Sequence, residues 1–222
     1  MGLEYSHKLE QFPPEGSLDL VKFRLVYDGA LPPEDRATPG LKQQIREQLH
    51  PQLRNLWYEH PMMRSYVREK HGQNHKEVDR VADAYAAHGF RWVPLIRLAN
   101  HMACSLNILV LLRREPYQVF SGTERGDLDN RIKTLIDGLR MPRQKTEVGN
   151  IQPPVGNEPF FCLLEDDKAV YEFNVRADRL LAPPRPDQKE RDVVAVISVH
   201  VTTSEGFELS GWLQAGFGLE GE

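Results

Sequence analysis

GDLDNRIKTLIDGLR, residues 126–140, is the stretch on which the fold turns. Ile132, Leu135, Ile136 and Leu139 recur at i, i+3, i+4 and i+7, so Asp129 to Leu139 reads as an amphipathic helix, stopped by Met141-Pro142. Two carboxylates, Asp127 and Asp129, stand i, i+2 in the extended lead-in to that helix, where they can project to one side while Leu128 points into the core. A divalent cation could bridge such a pair, because Mg²⁺ takes hard oxygen ligands and needs only a few carboxylates besides water. An Asp ahead of a helix is also a common N-cap that accepts from free backbone amides, which accounts for one of the two acids. Lys133 follows Asp129 by four residues on the same helical face. It is either a solvated i, i+4 partner worth a few tenths of a kcal/mol or a cation set where negative charge develops. Asp137, one turn further on, reads as an exposed partner of Lys133 or Arg140.

Upstream of this helix, Ser105 to Leu112 is almost continuously apolar, as in a central strand buried on both faces. Val21 to Asp28 alternates, with Val21, Phe23, Leu25 and Tyr27 inward, so it reads as a half-buried strand ended by Gly-Ala-Leu-Pro-Pro. Leu41 to His60 carries helical spacing, but Pro51 removes a backbone donor and predicts two short pieces. Glu77 to His88 predicts a further helix with Val78, Val81, Ala82 and Tyr85 on one stripe and Gly89 as its left-handed cap. Downstream, Met141 to Pro159 is rich in Pro, Gly and polar residues and predicts a long surface loop. Val170 to Ala177 and Asp192 to Thr203 read as strands, joined by a proline-rich connector. Strands and helices mix without a strict βαβ rhythm, which predicts an α+β fold: a mixed β-sheet with helices packed mainly on one side.

The 222 residues, with 40% apolar content, suffice for one substantial core. We expect a single domain over 1–222, comprising a core at about 20–203, an N-terminal extension 1–19, the loop 141–159 and an acidic C-terminal tail 204–222. Residues 1–10 are polar and no apolar run is long enough to span a bilayer, which predicts a soluble, cytoplasmic protein without a membrane partner. Cys104 and Cys162 lie far apart with no zinc-ligand spacing, so both read as buried apolar residues. The formal net charge is −4, yet its distribution is uneven. Glu205, Glu208, Glu220 and Glu222 are met by no cation after Asp192. Between Arg113 and Lys145, by contrast, Arg113, Arg114, Arg125, Arg131, Lys133, Arg140, Arg143 and Lys145 outnumber the acids. That stretch is net positive, as a solvated face or as a surface facing phosphates.

A second acidic knot, Glu165-Asp166-Asp167, follows the apolar run Phe160 to Leu164 and precedes the strand near Val170. Acids at a strand boundary are usually turn formers. A third carboxylate brought to Asp127 and Asp129 would also complete a site for one or two divalent ions.

Asp127-Leu128-Asp129-Asn130 with Lys133 four residues on, then an Asp-Asp pair and an alternating strand from Val170, resembles the signature of the RusA family of Holliday-junction resolvases, the crossover junction endodeoxyribonucleases. The likeness extends to order: an early strand ending in Leu31-Pro32-Pro33, a helical section, a strand feeding the Asp-x-Asp-Asn helix, and a terminal strand. It implies Asp127, Asp129 and Asp167 as catalytic metal ligands and Lys133 as the functional lysine, with Asp166 the alternative third ligand. It further implies a homodimer of two-fold symmetry that binds branched DNA and nicks four-way junctions symmetrically in recombination and repair, using Mg²⁺ or Mn²⁺. Asn130, Arg125 and Arg131, beside the acids, are the expected DNA contacts. Two other functions fit the same residues: a DNA-binding or scaffolding dimer that does not cut, and a nuclease for flaps or forks.

His71 and His75 stand at helical i, i+4 spacing, but no HExxH pattern accompanies them, and a solvated or DNA-facing role is expected ahead of zinc binding. Trp92, Tyr117 and Phe120 could stack on unpaired bases, although aromatics at this density are usually core.

Overall fold

The computed structural model describes residues 3–8, 17–32, 37–67, 77–113, 128–153, 158–182 and 192–203. The elements run β1 (Leu3–Lys8), β2 (Leu18–Ala30), α1 (Pro39–Glu59), α2 (Arg64–Val67), α3 (Glu77–Ala84), β3 (Ala86–Ala87) and β4 (Phe90–Ile96). They continue with β5 (Met102–Leu112), α4 (Leu128–Leu139), β6 (Pro159–Leu164), β7 (Val170–Arg179) and β8 (Asp192–Thr203). The fold is α+β, with two sheets among the described residues. One is five-stranded in the order β1-β7-β5-β8-β2, and the other is three-stranded in the order β3-β4-β6. Both are mixed: β5 runs parallel to β7 but antiparallel to β8, and β4 is parallel to β6 but antiparallel to β3. No helix among the described residues is long and apolar enough to cross a membrane.

The alternating strands β2, β7 and β8 and the helix α4 stand where the sequence predicts them. Strand β5 is central, as expected, but not buried on both faces. Leu106, Ile108, Val110 and Leu112 point into the core while Asn107 is exposed. Helices α1 and α4 cover the inner face only, joining Ile45, Leu49, Ile132 and Leu135 to Leu106, Ile108, Ile197 and Val199 in one cluster that also holds Val93, Leu95 and Phe161 of the small sheet. Cys104 and Cys162 are both buried, and burial pushes both thiols up.

Four expectations need correction. Helix α1 is continuous through Pro51. Pro51 and Glu47, whose carbonyl loses its donor, are both exposed, so that carbonyl is open to solvent, while Leu49, Leu53 and Trp57 bury the opposite face. Helix α3 stops at Ala84 rather than His88, because Ala87 pairs with Phe90 in a tight hairpin. His88 and Gly89 form its two-residue turn with φ of 56° and 88°, the left-handed pair that such turns require, so Gly89 is a turn residue and not a helix cap. The segment after α4 is packed as far as it is described: Lys145–Glu147 forms a 3-10 turn, and Val148 is buried against Phe90, Trp92, Phe160 and Cys162. Finally, β1, β4 and β6 have no counterpart in the sequence reading, which gives Phe160–Leu164 only as an apolar run. Pro94 argues against a strand, but β3 ends before reaching it, so no neighbour on that side needs its amide.

Helix α1 lies between the edges of the two sheets and closes both. The Gln52 side-chain amide donates to the Val26 carbonyl at 2.7 Å and its oxygen accepts from the Val26 amide at 2.9 Å. Gln48 does the same with Asp28 at 3.1 and 3.2 Å. Four helical residues advance about 6 Å and two strand residues about 6.7 Å, so an i, i+4 pair of glutamines matches an i, i+2 pair of edge residues. On the other side, His50 Nδ1 accepts from the Phe161 amide of β6 at 2.9 Å, and its ring stacks on Phe160 at 4.4 Å. Two open edges are thereby satisfied without a neighbouring strand.

Helices α1 and α4 cross closely at Gly138, where an added Cβ would lie 2.5 Å from Ile45 Cγ2 and 2.7 Å from Ile45 Cβ. Alanine should gain about 1 kcal/mol in helix propensity and lose more to the clash. We expect Gly138→Ala to lower stability by about 1–3 kcal/mol in urea denaturation, with Ile45→Ala in the same chain recovering part of the loss; additive effects would show that the helices do not touch there. The His50 ring supplies a pH dependence. Burial holds it below its ordinary pKa of 6.5, so the unfolded chain takes up the proton first and stability falls as pH drops below that value. The urea midpoint should decline from pH 7.5 to 5, and His50→Asn, which keeps an acceptor but cannot titrate, should make that decline shallower.

Candidate functional site

Helix α4 begins at Leu128, so Asp129 stands in its first turn and not in an extended lead-in as the sequence suggests. Asp127, Arg125, Tyr117, Phe120, His71 and His75 lie outside the described residues. The Asp129 carboxylate meets Lys133 Nζ at 3.1 Å, the i, i+4 pair that the spacing allows. The second acidic knot divides by role. Glu165 is part of the scaffold, its Oε2 accepting from the Leu98 amide at 2.9 Å and from the Tyr85 hydroxyl at 3.5 Å. Asp166 is the turn former, capping the 3-10 turn Asp167–Ala169 by accepting from the Lys168 amide at 3.0 Å. Asp167 faces a cleft.

That cleft, of about 830 Å³, is where the two acidic regions come together: Asp129 and Lys133 line it from α4, and Asp167 from the turn before β7. Its apolar floor is Ile132, Ile136, Val170 and Phe173, and its remaining charged walls are Lys42, Asp137, Arg140, Arg143 and Glu147. Asn130 and Arg131 are not among the lining residues. Arg131 donates to the Leu31 carbonyl at 2.6 Å, tying α4 to the end of β2. Asn130 Oδ1 accepts from Lys133 at 3.5 Å. Trp92 is fully buried and belongs to the core.

The wall of the cleft is continuous with a buried ion network. Arg46 and Arg140 have side-chain exposures of 0% and 4%. Arg46 donates to the Arg140 carbonyl at 2.7 Å, the Asp137 carbonyl at 2.8 Å and Glu147 Oε2 at 3.2 Å. Arg140 donates to Asp137 Oδ1 at 2.7 Å, Glu147 Oε2 at 3.1 Å and the Met141 carbonyl at 2.8 Å. Burial pulls the Arg46 guanidinium down to about 10, with Glu147 opposing it. Asp137 is not the exposed residue the sequence suggests: it is half-buried, and Lys42 and Arg140 hold its carboxyl low against the opposing effect of burial.

Asp167 and Asp166 share one more partner, Arg143. Its Nη2 donates to Asp167 Oδ1 at 2.6 Å and to Asp166 Oδ2 at 3.1 Å. Burial and the hydrogen-bonded neighbour Asp166 raise the Asp167 carboxyl above the ordinary range. Asp166 lies low despite its own burial, because the Lys168 amide, Asp167 and Arg143 favour its charged form.

Hard carboxylate oxygens suit Mg²⁺ or Mn²⁺. Among the described residues no three metal-ligating side chains converge. The described part supplies two of the three expected carboxylates, Asp129 and Asp167, on one cleft. Lys42, Arg140, Arg143 and Glu147 enter it without having been singled out as site residues. The arginines stand in the basic stretch, but nothing local assigns Lys42 or Glu147 to a site. Compared with known proteins, the chain matches no family model, no curated protein and no solved structure.

Glu147 neutralises two buried cations at once, so Glu147→Gln should cost about 3–5 kcal/mol of stability. A loss under 1 kcal/mol in a denaturant titration would show that the network is wetter than its geometry implies.

Proposed function

We propose that this chain is a RusA-like, divalent-metal-dependent DNA endonuclease that resolves four-way junctions, acting as a two-fold dimer with one cleft per subunit. One observation carries the reading: Asp129 and Asp167, far apart in sequence, line the same cleft together with Lys133. Asp127, adjacent to Asp129 by one intervening residue, is the third ligand of the reading.

Mg²⁺ or Mn²⁺ held by Asp127, Asp129 and Asp167 would offset the charge of a phosphodiester and acidify a water for in-line attack. The chain's own groups do the rest. Lys133 Nζ, already beside Asp129, is placed to favour charge developing on the phosphate oxygens. Lys42 reaches the same cleft from α1, and Arg125 is the proposed backbone contact beside the acids.

A second reading, a DNA-binding dimer that does not cut, is favoured by the ion pairs themselves. Lys133 and Arg143 neutralise Asp129 and Asp167 with no metal needed. Labelled four-way junctions, flaps and forks separate the readings. With Mg²⁺ the wild-type chain should place paired nicks in the junction, EDTA should stop them, and Asp129→Asn or Asp167→Asn should reduce the rate on the order of 100-fold or more. Junction binding without cleavage in Mg²⁺ or Mn²⁺ would favour the non-cutting dimer, and preferential cutting of flaps or forks would reassign the substrate.

A further inference from the structure

Two arginines approach Asp167, and they are held very differently. Arg140, with its Nε 3.8 Å from Asp167 Oδ2, is 4% exposed and fixed by Asp137, Glu147 and the Met141 carbonyl. Arg143 is 49% exposed, and Asp166 and Asp167 are the acids it pairs with. Its guanidinium stands on the carboxylate oxygens at 2.6 and 3.1 Å, the positions that a cation bound by Asp167 would need.

We infer that Arg143 is the counter-ion of the metal-free cleft, displaced when a divalent cation binds and then free to contact a DNA phosphate at the cleft mouth. The inference rests on the nuclease reading and gives it a regulatory step. The Arg143 guanidinium pairs with both adjacent carboxylates, at 2.6 Å from Asp167 and 3.1 Å from Asp166, and so supplies the cation between them. A divalent ion at Asp167 brings positive charge against that guanidinium, so the two compete for one carboxylate. Release costs Arg143 little packing, since half its side chain already meets water. A guanidinium freed beside a cationic cleft finds its best alternative partner in a phosphate, which it can grip with two parallel hydrogen bonds. Metal and DNA would then favour each other, because each removes an obstacle to the other, and the coupling must be reciprocal.

The test uses the full chain and two binding readouts. Mn²⁺ affinity is followed by electron paramagnetic resonance for wild type, Arg143→Gln, Arg143→Lys and Asp167→Asn, with circular dichroism melts to establish folding. Junction affinity is then measured in Ca²⁺, used to support binding while cleavage is minimised. Arg143→Gln should bind Mn²⁺ about fivefold or more tightly than wild type and bind the junction more weakly in Ca²⁺. Arg143→Lys, which keeps the charge without the fork, should fall between. Unchanged or weaker Mn²⁺ affinity in Arg143→Gln, or unchanged junction affinity, overturns the inference while leaving the nuclease reading standing. A wild-type chain that binds no Mn²⁺, or whose Mn²⁺ survives Asp167→Asn, removes the metal reading and the inference with it.

Discussion

Two guanidinium groups withdrawn from water, those of Arg46 and Arg140, set the terms for the rest of the cleft. A buried cation is tolerated only where carboxylates and carbonyls surround it, and here those partners come from separate parts of the chain. Arg46 belongs to α1, Asp137 and Arg140 to the end of α4, and Glu147 to the segment that follows. Satisfying the two charges therefore fixes α1 against α4 and draws residues 141–148 back over their junction. Arg140 also bridges to Leu164 at the end of β6, and the Met141 amide donates to the Leu164 carbonyl at 2.9 Å. The acidic turn that carries Asp167 begins directly after Leu164. The network that neutralises the core charges thus also sets where that acid stands relative to Asp129.

Helix α1 has a second task that explains why it must be continuous. It closes the edge of β2 with Gln48 and Gln52 and the edge of β6 with His50. Those side chains stand on opposite flanks of one helix, so a break at Pro51 would cost one sheet its closure. The apolar contacts of Leu49, Leu53 and Trp57 span the proline on the buried side, and the unpaired carbonyl is left to solvent. Local propensity argued for two pieces, and long-range pairing decided for one.

The same distinction separates what could be read in the sequence from what could not. The stripe of α4 and the alternation of β2, β7 and β8 are local patterns, and they appear at their predicted places. Asp129, on the first turn of that helix, was visible for the same reason. Gln48 and Gln52 look like ordinary surface residues of a helix, and their role exists only because β2 has a free edge beside them. Arg46 and Glu147 look solvated, and their burial depends on meeting each other across 101 positions. Strand β4 was obscured by Pro94, harmless only because β3 is so short. Of the cleft, the residues on α4 were legible, whereas Lys42, Glu147 and the clasp of Arg143 on the acidic turn arise from tertiary placement alone.

The balance of charge in the cleft bears on how a chain of net charge −4 could serve DNA. Among the described residues, Lys42, Lys133, Arg140 and Arg143 line it opposite Asp129, Asp137, Glu147 and Asp167, so cations and anions there are equal in number. An evenly matched set offers a phosphate backbone little attraction. One divalent ion held by the acids would shift the cleft by two positive charges. Under the proposed function, affinity for DNA is then switched by the metal at the cleft rather than carried by the surface as a whole, and the acidic composition elsewhere ceases to be an objection. Arg143 sharpens the switch, since the cation that neutralises Asp167 in the resting cleft becomes the cation released to the phosphate.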